Sequence, residues 1–280
     1  MRTLASVKDV RKTISDWRLA GERIAFVPTM GDLHQGHLAL VRHALTRAPH
    51  VVVSIFVNPT QFGPGEDFDA YPRTLESDQE KLQREGVELL FAPSVETLYP
   101  GGAEETTRID VPQVSRGLCD DFRPGHFAGV ATVVARLFNL VQPDVAVFGE
   151  KDYQQLAVIR RMVQDLCWPI EIDGVPTVRE ADGLAMSSRN RYLSAEERKL
   201  APVLYQTLCE VAEQARAGQQ SCRALERQAM KKLEAAGFSP GYVDIRHAET
   251  LLLVETGELP ARVLAAARLG KARLIDNIAI

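Results

Sequence analysis

Two histidines three residues apart, His34 and His37, straddle Gly36 in the run Pro28-Thr29-Met30-Gly31-Asp32-Leu33-His34-Gln35-Gly36-His37. An apolar segment, residues 24–27, precedes the run and an amphipathic one, residues 38–45, follows it, which is the pattern of a strand, a tight turn and a helix start. Such a turn offers free backbone N–H groups and the positive end of a helix dipole, the arrangement that holds phosphate. Two imidazoles aimed at one point suggest that the phosphate is a reactant. Two plainer readings stand beside this one. The run is also a glycine-bearing turn with two exposed histidines, or a metal pair at i, i+3 for which no third ligand lies nearby in sequence.

Three further turns are chemically dressed. Asn58-Pro59-Thr60-Gln61-Phe62-Gly63 follows an apolar run at 51–57, and Gly149-Glu150-Lys151-Asp152-Tyr153-Gln154-Gln155 follows another at 144–148. Met186-Ser187-Ser188-Arg189-Asn190-Arg191 lies close to a change in sequence rhythm. Gly31 and Gly149 permit close backbone approach to a ligand. Lys151 supplies a point charge, Arg189 a planar fork, and Ser187 and Ser188 hydroxyl donors, all suited to a nucleoside triphosphate. Gln61 and Gln155 are neutral amides, better matched to the hydroxyls and carboxylate of a small polar acid. Taken singly, Lys151 reads as a solvated lysine, Gln155 as a water-facing helix residue and Ser187-Ser188 as ordinary loop. Their common placement at strand ends carries the argument. No GxxxxGK[ST] occurs, and no GxGxxG opens a helix, so kinase and dehydrogenase readings lack support.

The elements that must position these turns alternate. Helical spacing covers 7–20, 36–46, 74–85, 128–141 and 153–166, and short apolar runs cover 24–27, 51–57, 87–91, 144–148 and 170–172. This predicts an α/β fold with a doubly wound, Rossmann-like parallel sheet, in which ligands sit outside the carboxyl ends of the strands. The rhythm changes near Asp182. Ser194 opens a capping box for a helix running to about Ala217, and a second helix covers 221–236. Strand-like runs at 242–246, 263–269 and 273–276 complete a smaller C-terminal α+β unit. The expected domains are 1–178 and 179–280.

The chain has 280 residues and a formal net charge of −4. That balance gives no bulk attraction to nucleic acid or anionic membrane. Four cysteines are widely spaced with no CxxC, and no run approaches a membrane span or a signal-peptide core, which fits a reduced, cytoplasmic protein.

The stretches PTMGDLHQGH, SIFVNPTQFGPGEDFDAYPRT, RPGHFAGVATVVARLFNLVQPDVAVFGEKDYQQL and DGLAMSSRNRYLSAEER together resemble the pantoate–β-alanine ligase family. The pairing of HxGH with Met-Ser-Ser-Arg is similar to the HIGH and KMSKS pair of the class I aminoacyl-tRNA synthetase-like nucleotidyltransferases. The resemblance covers essentially the whole chain. It implies that ATP, pantoate and β-alanine give pantothenate, AMP and diphosphate through a pantoyl adenylate. It also implies Mg²⁺ with ATP, held mainly by phosphates and water with Asp78 as an indirect contact, and a cytoplasmic homodimer. By the same resemblance Met30, Gly31, Asp32, Leu33, His34, Gln35, Gly36 and His37 would bind ATP, with His37 the proton donor and His34 assisting. Gly149, Glu150, Lys151 and Asp152 would bind nucleotide, with Lys151 on phosphate. Val178 would line the adenine pocket, and Met186, Ser187, Ser188 and Arg189 would close over the triphosphate. Gln61 and Gln155 would hold pantoate, with Gln61 beside the β-alanine site. Arg123 and His126, in an irregular stretch, are open between phosphate-facing and ordinary loop roles.

Ala185 and Ser188 stand where KMSKS has lysines, and no tRNA-binding part is left over, which argues against a tRNA synthetase. Two other classes remain: a nucleotidyltransferase releasing diphosphate but no AMP, and a non-catalytic nucleotide-binding module.

Overall fold

Three apolar runs, 24–27, 51–53 and 145–147, are almost wholly excluded from water, as parallel strands covered on both faces must be. The computed structural model describes residues 1–63, 65–218, 220–255 and 260–280. Its first half runs β1 (Arg2–Leu4), α1 (Val7–Leu19), β2 (Ile24–Thr29), α2 (Gln35–Arg47), β3 (His50–Ile55), α3 (Leu75–Glu85), β4 (Leu89–Phe91) and α4 (Val95–Leu98). Then follow α5 (His126–Val141), β5 (Val145–Gly149), α6 (Tyr153–Asp165) and β6 (Glu171–Val175). The C-terminal part comprises α7 (Ala195–Leu200), α8 (Val203–Ala217), α9 (Cys222–Ala235), β7 (Ser239–His247), β8 (Ala261–Leu269) and β9 (Ala272–Ala279).

Strands β1 to β6 form one parallel sheet in the order β1-β4-β3-β2-β5-β6. Side chains alternate across it. Ile24 and Phe26 join α1, α5 and α6 in one apolar cluster, while Ala25 and Val27 join α2 and α3 in another. The chain winds outward from β2 through β3 to β4, then returns to β5 beside β2. The order therefore reverses between β2 and β5, and a crevice opens there at the carboxyl ends.

The sheet β7-β8-β9 is antiparallel, and α8 and α9 pack their apolar stripe on it through Leu208, Leu225, Leu233 and Val263. The two sheets meet: Leu251 and Leu264 belong to the apolar cluster of the parallel sheet.

One expectation is corrected, and two segments left without an assigned element take shape. The helix expected from Ser194 to Ala217 is two helices, because Pro202 has no N–H to continue α7 and its ring clashes with the preceding turn. The N-terminal residues form an edge strand, β1, held by parallel pairing of Arg2, Thr3 and Leu4 with β4. Its three residues are too few for any periodicity to register. Residues 94–127 contain the short helix α4 and turns around buried Val111, Val114 and Leu118. There Gln154 donates to the carbonyls of Val114, Ser115 and Gly117 and accepts from the Cys119 N–H.

Candidate active site

The crevice between β2 and β5 holds a cavity of about 230 Å³. Its wall includes His34, Gly36 and His37 from the first turn, Gln61 from the second, Gly149, Lys151, Asp152 and Gln155 from the third, and Met186, Ser187, Ser188 and Arg189 from the fourth. Met30 and Val178 also face it. The four turns picked out by residue type therefore converge in space.

Helix α2 begins at its N-cap, His34, with His37 in the third helical position. The His34 Nδ1 accepts from the Gly36 N–H at 3.1 Å, and the His37 Nδ1 accepts from the His34 N–H at 3.3 Å. A backbone N–H can only donate, so each ring carries its proton on Nε2 when neutral. The rings lie 4.1 Å apart. Both keep an edge open to the cavity, yet dense protein around them disfavours charge. Burial, aided by Lys151, lowers His34 to about 4, and burial, aided by His34, lowers His37 to about 3. Near neutrality both are uncharged imidazoles with Nε2–H available as donors.

The expected free N–H groups of this turn are largely taken. The Gly31 N–H donates to Thr29 Oγ1, and the Asp32 and Leu33 N–H groups donate to Asp78 at 2.8 and 2.9 Å. Asp78 also accepts from Thr74 Oγ1 and Lys81 Nζ. Its carboxylate is completely buried and its lone pairs are used, so the indirect Mg²⁺ contact expected of it is corrected: it braces the histidine turn from beneath. Gly31 makes this possible with φ +86, and a Cβ there would lie 3.1 Å from Ile55 and 3.3 Å from Asp78.

Gly31, Asp32, Leu33, Gln35 and Glu150 do not line the cavity. Asp32 is held by Arg191, with both oxygens 2.5 Å from one guanidinium nitrogen. The Glu150 carboxylate turns to Arg262 at 3.4 Å. Arg189, expected on phosphate, is paired with Asp67 at 3.0 and 3.1 Å and lies over Tyr71. A half-buried guanidinium needs a carboxylate or another anion as its partner.

Gln61 is positioned by residues that the sequence reading missed. Tyr99 Oη donates to Asn58 Oδ1 at 2.8 Å, and Asn58 Nδ2 donates to Gln61 Oε1 at 3.2 Å and to the Gly129 carbonyl. The 3-10 turn Pro59–Gln61 lies so close to α5 that a Cβ on Gly129 would sit 2.2 Å from the Thr60 oxygen. Only glycine fits there. An isolated glycine in a helical run was the available signal. Gln155 lines the wall with no hydrogen-bond partner for its amide among the described residues.

Arg123 and His126 both reach the cavity. Arg123 pairs with Glu66 at 2.6 Å, and His126 Nδ1 donates to the Gln61 carbonyl at 2.8 Å while its Nε2 accepts from Arg123. Burial and Arg123 lower His126 to about 4, leaving it neutral. Lys151 is 3.7 Å from Asp152. Its carbonyl and that of Glu150 accept from Asn277 Nδ2 of β9 at 2.9 and 2.8 Å.

The fold and this crevice define a doubly wound α/β protein with a phosphate-competent site at the switch point of its sheet. Its relatives narrow the class. The chain belongs to the pantoate-β-alanine ligase family, whose profile matches residues 2–279. It is 58% identical over 278 residues, 99% of this chain and 97% of the relative, to a pantothenate synthetase of Pseudomonas entomophila. A solved pantothenate synthetase from Thermus thermophilus superposes with a TM-score of 0.92 at 53% identity, each chain 99% covered. A pantoate-β-alanine ligase from Francisella tularensis, solved as a complex with beta-gamma ATP and β-alanine, gives a TM-score of 0.84 at 33% identity, covering 100% of this chain and 97% of that one.

Proposed function

We propose that the chain condenses pantoate with β-alanine at the expense of ATP, forming a pantoyl adenylate and then pantothenate. The observation that carries this reading is the pairing of two neutral Nε2–H donors and Lys151 with two amides, Gln61 and Gln155, in one crevice. A phosphate donor and a small acid are thus offered adjoining walls.

A carboxylate is a poor acyl electrophile. In the first step its oxygen attacks the α-phosphorus of ATP and diphosphate leaves. In the second the β-alanine nitrogen attacks the acyl carbon, AMP leaves and the nitrogen loses a proton. Charge grows on phosphate oxygens in the first step, so positioned donors are the chief catalytic resource. His37 and His34 donate Nε2–H bonds to phosphate oxygens, and Lys151 adds a point charge. His37 is neutral before the nucleotide arrives, so it first meets the phosphates as a hydrogen-bond donor. Triphosphate charge would raise its proton affinity on binding. Met30, Gly36, Gly149, Asp152 and Val178 form the nucleotide side, and Met186, Ser187 and Ser188 the cover. Gln155 and Gln61 hold pantoate, with β-alanine entering beside Gln61. Arg189 exchanges Asp67 for phosphate.

Mg²⁺ accompanies the nucleotide and neutralises phosphate charge. Among the described residues no three His, Cys, Asp or Glu side chains are grouped to hold a metal, so phosphates and water would supply most of its ligands. The two parts divide at 178/179, where the parallel sheet has ended and a separate apolar cluster begins at Leu184. No helix among the described residues is long and apolar enough to cross a membrane. We assign the chain to the cytoplasm, where ATP is abundant and Cys119, Cys167 and Cys209 stay reduced. The resemblance supports a homodimer, which light scattering tests.

The deciding assay supplies ATP, pantoate and β-alanine. AMP formation dependent on both acids is expected, with pantoate-dependent exchange of diphosphate into ATP when β-alanine is withheld. ADP and phosphate instead would overturn the adenylate route. His37→Ala should slow AMP formation by about 100-fold, the usual scale for a lost transition-state donor.

A further inference from the structure

Beyond Lys151 the crevice continues into a second cavity of about 290 Å³, floored by one face of the antiparallel sheet. Leu264 and Arg268 of β8 and Arg273, Ile275 and Asn277 of β9 supply that floor, and Lys271 stands at the hairpin between the strands. Arg123, Lys151, Gln155 and Arg189 line both cavities, so the two are continuous.

The charge in this second cavity is unevenly compensated. Its acids have partners: Glu66 with Arg123, Asp67 with Arg189, Asp152 with Lys151 and Asp276 with Arg179. Arg268, Lys271 and Arg273 have no carboxylate within 4.0 Å among the described residues. Moreover Arg268 and Arg273 are direct cross-strand partners in the β8–β9 ladder. Like charges in that relation repel and weaken a strand pair. The arrangement is stabilised when a multiply charged anion lies between the two guanidinium groups, which bind phosphate oxygens bidentately.

We propose that Arg268, Arg273 and Lys271 form a second anion subsite that receives diphosphate after it leaves the nucleotide, passing it from Lys151 toward solvent. The inference rests on the ATP-cleaving reading above for the origin of the anion. Three uncompensated cations suit a diphosphate of charge near −3 better than β-alanine, a zwitterion with one carboxylate.

Titration calorimetry of the full chain with inorganic diphosphate and Mg²⁺, no other substrate present, tests it without requiring ligase activity. Arg268→Gln/Arg273→Gln should weaken diphosphate binding at least about tenfold, and Arg268→Lys/Arg273→Lys should recover part of it, since charge is kept while the bidentate fork is lost. Lys271→Gln, at the exposed hairpin, should weaken it about threefold and serves if the double variant fails to fold. Diphosphate binding by the Gln variant within twofold of the parent, or none by the parent, overturns the proposal. So does a raised KM for β-alanine with diphosphate binding intact, which would assign the cluster to a carboxylate. Diphosphate binding that behaves as expected in a chain that makes no AMP would leave the subsite standing and remove only the ligase reading.

Discussion

Asp78 has no surface exposure and joins four donors, two of them backbone N–H groups of the histidine turn. Removing it leaves buried donors without acceptors, so Asp78→Ala should lower stability by about 3 kcal/mol, read from urea unfolding. It should also depress AMP formation, because the rings it indirectly holds lose their setting. This residue marks where sequence reading stops. His34, His37, Gln61, Lys151 and Gln155 were legible because each sits just beyond an apolar run and carries a side chain that suits phosphate or a small acid. Asp78, Asn58 and Tyr99 place the site through contacts to residues distant in sequence, namely Asp32 and Leu33 for Asp78, Gly129 for Asn58 and Asn58 for Tyr99, and residue type and spacing do not reveal such partners.

At the scale of elements, α5 and the turn carrying Gln61 touch through the missing side chain of Gly129. Gly129→Ala must push the two apart, since the obstacle is backbone. It should cost about 1–3 kcal/mol and raise KM for pantoate more than KM for ATP in steady-state assays. Helices α1, α2 and α3 and strands β2, β3 and β5 were legible to within a residue or two, since period and stop signals agree: Gly86, for example, ends α3 in the left-handed conformation at φ 86. The break at Pro202 was readable from the proline itself, but the capping box before it and the apolar spacing after it suggested one continuous helix. Gly183, which stood near the expected domain boundary, is packed against Tyr205, where a Cβ would lie 2.5 Å from the ring, and so anchors the turn leading to Met186.

For the whole molecule, protonation sets an acid limit. His34, His37 and His126 are neutral when folded, their pKa values lowered to about 4, 3 and 4, against about 6.5 in an unfolded chain. Below pH 6.5 the unfolded chain binds more protons, so stability is full above that pH and falls as the pH drops toward 4, by up to about 1.4 kcal/mol per pH unit for each ring. His50 works in the other sense. Burial opposes its charge, but bonds to Glu22 and Glu88 outweigh that and raise its pKa, so its contribution is present below pH 6.5 and lost as pH rises through the raised value. With three rings against one, unfolding midpoints should decline from pH 7 to pH 4.5, and His126→Gln should flatten the decline. The two sheets also share the site. Asn277 holds the carbonyls of Glu150 and Lys151, and Arg191 holds Asp32. Asn277→Ala should lower kcat about tenfold with a smaller change in KM for pantoate, because Lys151 loses its fixed backbone.

The brace beneath the histidines also bears on the order in which the molecule assembles. Asp78 lies 46 residues beyond Asp32, so the turn cannot keep its shape until β3, the loop after it and α3 have all been laid down and docked. A peptide spanning residues 24–47 would form neither the left-handed pair at Gly31 and Asp32 nor the ring contact, and its histidines would titrate near 6.5. The shape of the phosphate-binding turn therefore depends on α3 being docked beneath it, and a chain lacking that contact would carry no misplaced phosphate-binding turn.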